Sequence, residues 1–183
     1  MRRKVLAFLL MTILLLSACG PVSADDLLKK HAEKFESLDF KTQAALTVHQ
    51  GDVTMDFTIV FAWKHDGECA LQVKAPEELE GIKARYSTDK LTFTFEDTVL
   101  DMSSEGFSPL NAMYGVFNAW AKGVPLNSSQ EKLDGTATLA LAYEDVHNSS
   151  RTWFNAETLI PLRTEIYTGG VLAAEAVYEV YEQ

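Results

Sequence analysis

An apolar side chain recurs at every second position from Val53 to Trp63. Every odd-numbered position in this run is apolar, whereas Thr54, Asp56 and Thr58 mark the opposite side. Because successive side chains of a strand point to opposite faces, the pattern predicts a strand with one buried face and one solvated face. At roughly 3.3 Å per residue, the strand is about 36 Å long. The chain is therefore expected to build a sheet with one apolar face.

The turns on either side of this strand predict its partners. Gly51-Asp52 is a two-residue hairpin signal that pairs Gln50 with Val53. For the next turn, the three-residue loop His65-Asp66-Gly67 is preferred to a two-residue loop because it keeps the apolar faces together. The predicted opposite pairs are Phe40 with Trp63, Ala44 with Ile59, Leu46 with Phe57, Val48 with Met55, Trp63 with Cys69, Phe61 with Leu71, and Ile59 with Val73.

Two segments have helical periodicity. The first runs from Ala24 or Asp25 to Ser37, and its apolar face includes His31, which is interpreted as a packing residue and not as a ligand. The second has Ser108 as its N-cap and stops at the Gly and Pro residues of 123–125. Its apolar stripe contains Leu110, Met113, Phe117 and Trp120.

The remaining segments with alternating patterns predict further antiparallel strands. The final hairpin is expected to have the three-residue loop 168–170, which sets Ile166 opposite Leu172 and Arg163 opposite Glu175. A turn is expected at residues 148–150. The predicted strands are Ile82 to Tyr86, Leu91 to Phe95, Val99 to Met102, Ala137 to Tyr143, Thr152 to Phe154, Leu159 to Tyr167, and Val171 to Tyr181.

These elements predict an α+β fold that is mostly β. A strongly curved antiparallel sheet, a half-barrel, has its concave apolar face covered by the N-terminal and mid-chain helices. The interior is expected to be either a packed core or a cavity for an apolar ligand. The candidate residues for such a cavity are Phe40, Leu46, Met55, Phe57, Ile59, Phe61, Trp63, Leu71, Phe93, Phe95, Phe117 and Trp120.

The first 19 residues have the three parts of a bacterial lipoprotein signal. A basic start at residues 2–4 precedes an apolar run from Val5 to Leu16, which is too short to span a membrane. Leu16-Ser17-Ala18-Cys19 resembles a lipobox, which implies a diacylglycerol on Cys19 and removal of the signal peptide 1–18. The alternative is an ordinary signal peptide with an incidental cysteine. The expected organisation is a lipidated tether at 19–24 and one domain at 25–183.

Charge and cysteine count limit the partners and the chemistry. The full chain has a net charge of -10, and removal of the signal peptide leaves 13 basic against 26 acidic residues, a net charge of -13. Such a surface repels nucleic acid and anionic lipid headgroups, so attachment to a membrane should depend on the lipid. If Cys19 is acylated, Cys69 has no disulfide partner and is expected to be a small buried side chain.

No constellation of residues predicts catalysis. His31, His49, His65 and His147 are scattered without metal-ligand spacing, and there is no nucleophile elbow or phosphate loop. The acidic residues are not placed in a pair suited to acid–base chemistry. The chain is therefore predicted not to be an enzyme and to have no metal or cofactor.

Two segments resemble the LolA/LolB-like superfamily of lipoprotein carriers and acceptors. Residues 73–82, with Pro76, are similar to a strand, proline and turn of that family, and residues 153–166, with Pro161, resemble its late turn and strand. The resemblance implies a half-open antiparallel barrel whose concave face holds acyl chains under a helical lid. Lipidation of Cys19 would make the chain more similar to the anchored acceptor than to the soluble carrier. Lipid-anchored relatives in spore formers imply a scaffold for a cell-wall amidase instead.

Two main hypotheses follow. The first is an extracytoplasmic protein, anchored to the cell membrane through Cys19, that binds lipid or the acyl chains of a lipoprotein in the curved sheet. The second is an anchored scaffold that binds another envelope protein, such as a cell-wall amidase. A third, purely structural role is less favoured. Gly20 after the cysteine permits an outer-membrane location if the host has an outer membrane.

Overall fold

The computed structural model describes residues 23–87, 90–95, 98–102, 109–146 and 148–182. Helix α1 spans Ala24–Phe35, helix α2 spans Pro109–Lys122, and a short 3-10 helix spans Glu77–Leu79. The strands are β1 Phe40–Gln50, β2 Val53–Trp63, β3 Cys69–Ala75, β4 Lys83–Ser87, β5 Lys90–Phe95, β6 Thr98–Met102, β7 Asn127–Leu133, β8 Thr136–Glu144, β9 Asn148–Asn155, β10 Pro161–Thr168 and β11 Val171–Glu182.

All eleven described strands belong to one antiparallel sheet. Their order is β6-β5-β4-β3-β2-β1-β11-β10-β9-β8-β7, so two meanders meet where the first strand pairs with the last. Strands β6 and β7 lie at the two ends of this order and do not pair with each other, so the sheet stays open. This architecture confirms the predicted mostly-β fold with a curved sheet and two helices.

The predicted registers of the first three strands are confirmed. Gln50 pairs with Val53, and the pairing continues without a shift to Phe40 opposite Trp63. The next hairpin sets Trp63 opposite Cys69 around the three-residue loop, in which Gly67 has a φ of +98°. That left-handed conformation is readily adopted only by glycine.

Two expectations for the second half of the chain are wrong, and one strand was not predicted. The last hairpin has a two-residue turn, Gly169-Gly170, and an irregularity between Ile166 and Tyr167 then moves the register, so Ile166 lies opposite Ala174. Residues 148–150 belong to β9 and not to a turn, because the chain reverses just before them, where the Asn148 N–H donates to Asp145 Oδ1 at 2.8 Å. Strand β7 is absent from the predicted strands because its sequence is polar.

The helices begin and pack as their sequences predict. The Ser23 hydroxyl accepts a hydrogen bond from the Asp26 N–H at 3.1 Å and caps α1, whose first turn is acidic. Leu27, His31 and Phe35, spaced four residues apart, form its buried face. Helix α2 buries its stripe from Met113 through Phe117 to Trp120. The predicted N-cap Ser108 lies outside the described residues.

Candidate functional site

The centre of the concave face is filled by aromatic side chains from both helices and the sheet. The Trp120 ring lies 5.0 Å from the Phe117 ring and 5.1 Å from the Phe154 ring, measured between centroids. Phe35 of α1 packs 5.7 Å from Trp120, and Phe61 of β2 packs 5.3 Å from Phe117. All five side chains are almost fully buried. The part of the face beneath the helices is therefore a packed core.

The twelve cavity candidates divide between this core and one open end of the concave face. Phe57 and Phe93 are half-buried, whereas Met55 is 37% and Phe95 is 45% exposed. The other eight are buried in the core: Phe40, Leu46, Ile59, Phe61, Trp63, Leu71, Phe117 and Trp120. The apolar face thus continues beyond the part that the helices cover.

A cleft of about 420 Å³ lies between α1, the end of α2, and β8. Trp120 is the one member of the twelve candidates that lines it. Sequence reasoning did not bring the other lining residues together because they come from three separated segments, although His31 was on the predicted apolar face of α1. The lining residues are Leu28, His31, Ala32, Glu36, Trp120, Ala121, Lys122, Gly123, Pro125 and Tyr143.

The walls of this cleft, which we call the helix cleft, combine apolar side chains with the exposed charged residues Glu36 and Lys122 and with two buried polar side chains, His31 and Tyr143. His31 is 2% exposed and its Nε2 has no hydrogen-bond partner within the described part of the chain. Burial, with a smaller contribution from the charge of Lys34, lowers the pKa of His31 to about 3. Burial also raises the pKa of Tyr143. Both side chains are therefore uncharged at neutral pH, which suits them to their apolar neighbours.

The outer face of the sheet carries a network of charged side chains over β7 to β11. Glu131 accepts hydrogen bonds from Trp153 Nε1 at 3.1 Å and from Arg151. The guanidinium carbon of Arg151 lies 5.0 Å from the centre of the Trp153 ring. Arg163 bonds Glu165 at 2.8 Å and also bonds Glu175. The predicted Arg163–Glu175 contact therefore exists, although it is diagonal, since Glu175 lies opposite Glu165.

The described residues contain no cluster of three or more His, Cys, Asp or Glu side chains suited to a metal ion. His65 bonds Asp39 at 2.7 Å, and His49 lies near Thr54, both on the surface. Cys69 is fully buried and unbonded to sulfur, and burial raises the pKa of its thiol to about 12. His147, Cys19 and the signal segment lie outside the described residues. Within the described ranges, no helix has the length and apolar character needed to span a membrane.

No protein-family model matches the sequence, and no curated protein matches it. Several solved structures are similar. A conserved protein from Thermus thermophilus aligns over 88% of both chains with 9% identity and a TM-score of 0.55. A DUF1329 family protein from Desulfovibrio piger covers 90% of this chain and 93% of its own, with 15% identity and a TM-score of 0.50.

A LolA superfamily protein from Nitrosomonas europaea covers 88% of this chain and 93% of its own, with 15% identity and a TM-score of 0.46. Similarity at these levels of identity concerns the fold alone. The open, curved antiparallel sheet with two helices on its concave face agrees with the fold that the sequence predicts.

Proposed function

We propose that this protein is an extracytoplasmic lipoprotein, anchored through Cys19, that binds an apolar ligand such as an acyl chain in the helix cleft. The observation that supports this proposal best is the cleft itself, which has apolar side chains such as Leu28, Trp120 and Pro125 in its lining and a volume within the range of roughly 300–1,000 Å³ typical of small-molecule sites. The two uncharged polar groups, His31 and Tyr143, suit a ligand that has one polar group on an apolar body.

Displacement of α1 would extend this site into the concave face. Helix α1 rests on α2 and on the strands β7 and β8, at one side of the sheet. Two side chains of α1, His31 and Phe35, insert into the aromatic core, where each ring contacts Phe154. A longer acyl chain could occupy the space that these rings fill, since the chain and the Phe35 ring are both apolar. The helix would then act as the lid that the resemblance implies.

The experiment is native mass spectrometry of the protein purified from the membranes of its host. We expect non-covalent lipid adducts in the wild type. Ala32→Trp, which adds a large side chain to the cleft wall, should lower the number of bound lipids by one. Glu33→Trp is the matched control because the neighbouring residue does not line the cleft, and it should keep the wild-type number. Absence of lipid from the wild type, or an equal number of bound lipids in Ala32→Trp and the wild type, would contradict the proposal.

A second candidate function is a scaffold for another envelope protein, for which the resemblance implies a cell-wall amidase. The packed aromatic centre favours it, because a filled interior leaves the outer face and the edge strands for contacts. Chemical cross-linking in the native host tests this candidate. A stoichiometric cross-link from β7 to one amidase would support the scaffold, and its absence, together with bound lipid, would favour the first function.

A further inference from the structure

A second depression lies on the outer face of the sheet, opposite the helices. It has a volume of about 390 Å³ and crosses β1 to β5. Neighbouring strands are roughly 4.8 Å apart, so a groove that crosses five strands is about 19 Å long. The middle strands contribute Val60, Ala62 and Ala70, whose side chains are small and apolar. We call this depression the outer groove, and it shares no residue with the helix cleft.

The charge of the outer groove is opposite to that of the whole protein. Three cationic side chains, Lys41, Lys83 and Arg85, line it, and the lining residues include no carboxylate, although the full chain has a net charge of -10. Arg85 is bonded to Glu68 at 2.7 Å, and Lys41 lies 3.8 Å from an exposed carboxylate. Lys83 is exposed and forms no ion pair within the described part of the chain. An anion beside Lys83 would therefore gain an uncompensated positive charge.

The backbone beneath the groove favours an alkyl chain over a peptide. Strand β2 is paired with both β1 and β3, and β3 is paired with both β2 and β4. The groove thus offers few backbone partners to the N–H and C=O groups of a peptide that crossed the strands, and such groups are costly to bury without partners. An alkyl chain has no polar groups to satisfy. Gln72 and Thr94 lie along the groove and can donate hydrogen bonds to an anionic headgroup.

We propose that the outer groove binds a single-chain anionic amphiphile, with its headgroup at Lys83 and its alkyl chain along Val60, Ala62 and Ala70. This site is independent of the helix cleft. The shared chemistry is an alkyl chain of about a dozen carbons that carries one carboxylate or one phosphate. The groove length, the apolar floor and the cationic margin together specify this class, since a neutral alkane would leave Lys83 without a partner.

Photo-crosslinking of the full-length protein in membranes tests the proposal. The probes are a diazirine-bearing dodecanoate, a diazirine-bearing dodecyl phosphate and, as the uncharged comparison, a diazirine-bearing dodecanol. We expect the anionic probes to label peptides of β2 to β4 in preference to the alcohol. The carboxylate and phosphate arms distinguish the two headgroups, and preferential labelling by either one supports the site. Equal labelling of these peptides by all three probes would overturn the proposal.

Substitutions at Lys83 and at Ala32 separate this site from the cleft. Lys83→Glu should reduce labelling of the groove peptides by about fivefold, as expected for one exposed charge contact. Lys132→Glu, which makes the same charge change on the edge strand β7, and Ala32→Trp in the cleft should leave it unchanged. Lys83→Gln is a milder variant that keeps the test valid if Lys83→Glu disturbs folding. Full labelling in a folded Lys83→Gln or Lys83→Glu protein would contradict the site, whatever the cleft binds.

Discussion

The indole Nε1 of Trp120 donates a hydrogen bond to the Oγ1 of Thr152 at 3.1 Å, inside the aromatic core. This bond joins α2 to β9, and the chain of hydroxyl groups continues from Thr152 to Thr164 at 2.8 Å and to Tyr178 at 3.0 Å. Buried polar groups are costly unless they are hydrogen-bonded. The chain of bonds thus fixes the position of α2 on the concave face, and with it one wall of the helix cleft.

Thr152→Val should test this connection, because valine keeps the shape and removes the hydroxyl. The Trp120 N–H and the Thr164 hydroxyl would each lose a partner in a dry environment. We expect the free energy of unfolding to fall by about 1–3 kcal/mol, as measured by urea denaturation. The matched control is Thr58→Val on the outer face, which should change stability by less than about 0.5 kcal/mol. Equal effects of the two substitutions would contradict the role of the buried chain.

His31 should make the stability of the protein depend on pH. Its pKa in the folded protein is about 3, below the ordinary value of 6.5. Below pH 6.5 the unfolded chain takes up a proton that the folded protein does not, so stability falls as the pH falls towards 3. The loss attributable to His31 is about 2 kcal/mol between pH 7 and pH 5.

His31→Leu isolates this contribution. The variant should be at least as stable as the wild type at pH 7, since it removes a buried nitrogen without a partner. Between pH 7 and pH 5, its free energy of unfolding should fall by about 2 kcal/mol less than that of the wild type. His49→Gln, at the surface, serves as the control and should retain the wild-type pH dependence. A wild-type pH dependence in His31→Leu would show that His31 is not buried in its neutral form.

Glu131 joins the edge strand β7 to β9 through Arg151 and Trp153, and it also accepts a hydrogen bond from Ser129 of its own strand. Hydrogen bonds from Ser129 and Trp153, together with the charge of Arg151, lower the pKa of its carboxyl group. Glu131→Gln should cost about 1 kcal/mol, because the side chain is partly exposed to solvent. The cost should shrink in 1 M NaCl, since salt screens exposed charges. Glu157→Gln at a nearby exposed turn is the control, and an equal cost at that position would contradict the network.

Cys19→Ala should release the protein from membranes, because the proposed anchor is the lipid on this cysteine. The measurement is fractionation of cells followed by immunodetection. The second cysteine offers the control, since Cys69→Ala removes a buried thiol and should leave the protein in the membrane fraction. Persistence of Cys19→Ala in membranes would defeat the claim of an acyl anchor.

The registers of the first three strands could be predicted because the turn residues and the pattern of apolar side chains indicate the same strand pairing. The turn at Gly51 and the loop that ends at Gly67 set the registers, and a shift by one residue would move every apolar side chain of β2 to the solvent. The register of the last hairpin is not determined in this way. The irregularity between Ile166 and Tyr167 restores the apolar face after a two-residue turn, and a bulge of this kind has no clear signature in the sequence.

Strand β7 and the helix cleft depend on tertiary contacts that a sequence does not display. Residues 127–133 are polar because β7 is an edge strand with few buried side chains, so neither alternation nor β-propensity marks it. The cleft brings Ala32, Pro125 and Tyr143 together from three separate segments. The apolar face of α1 was predictable, whereas its position beside the end of α2 was not.

Photo-crosslinking with an uncharged acyl probe tests the central claim most directly. A monoacylglycerol that carries a diazirine on its acyl chain would be added to membranes that contain the full-length protein, and labelled residues would be mapped by mass spectrometry. The account predicts labelling at Leu28, Ala32, Pro125 and Tyr143, which Ala32→Trp abolishes and Glu33→Trp preserves. Labelling that avoids these residues, or that persists unchanged in Ala32→Trp, would contradict an apolar site between the two helices.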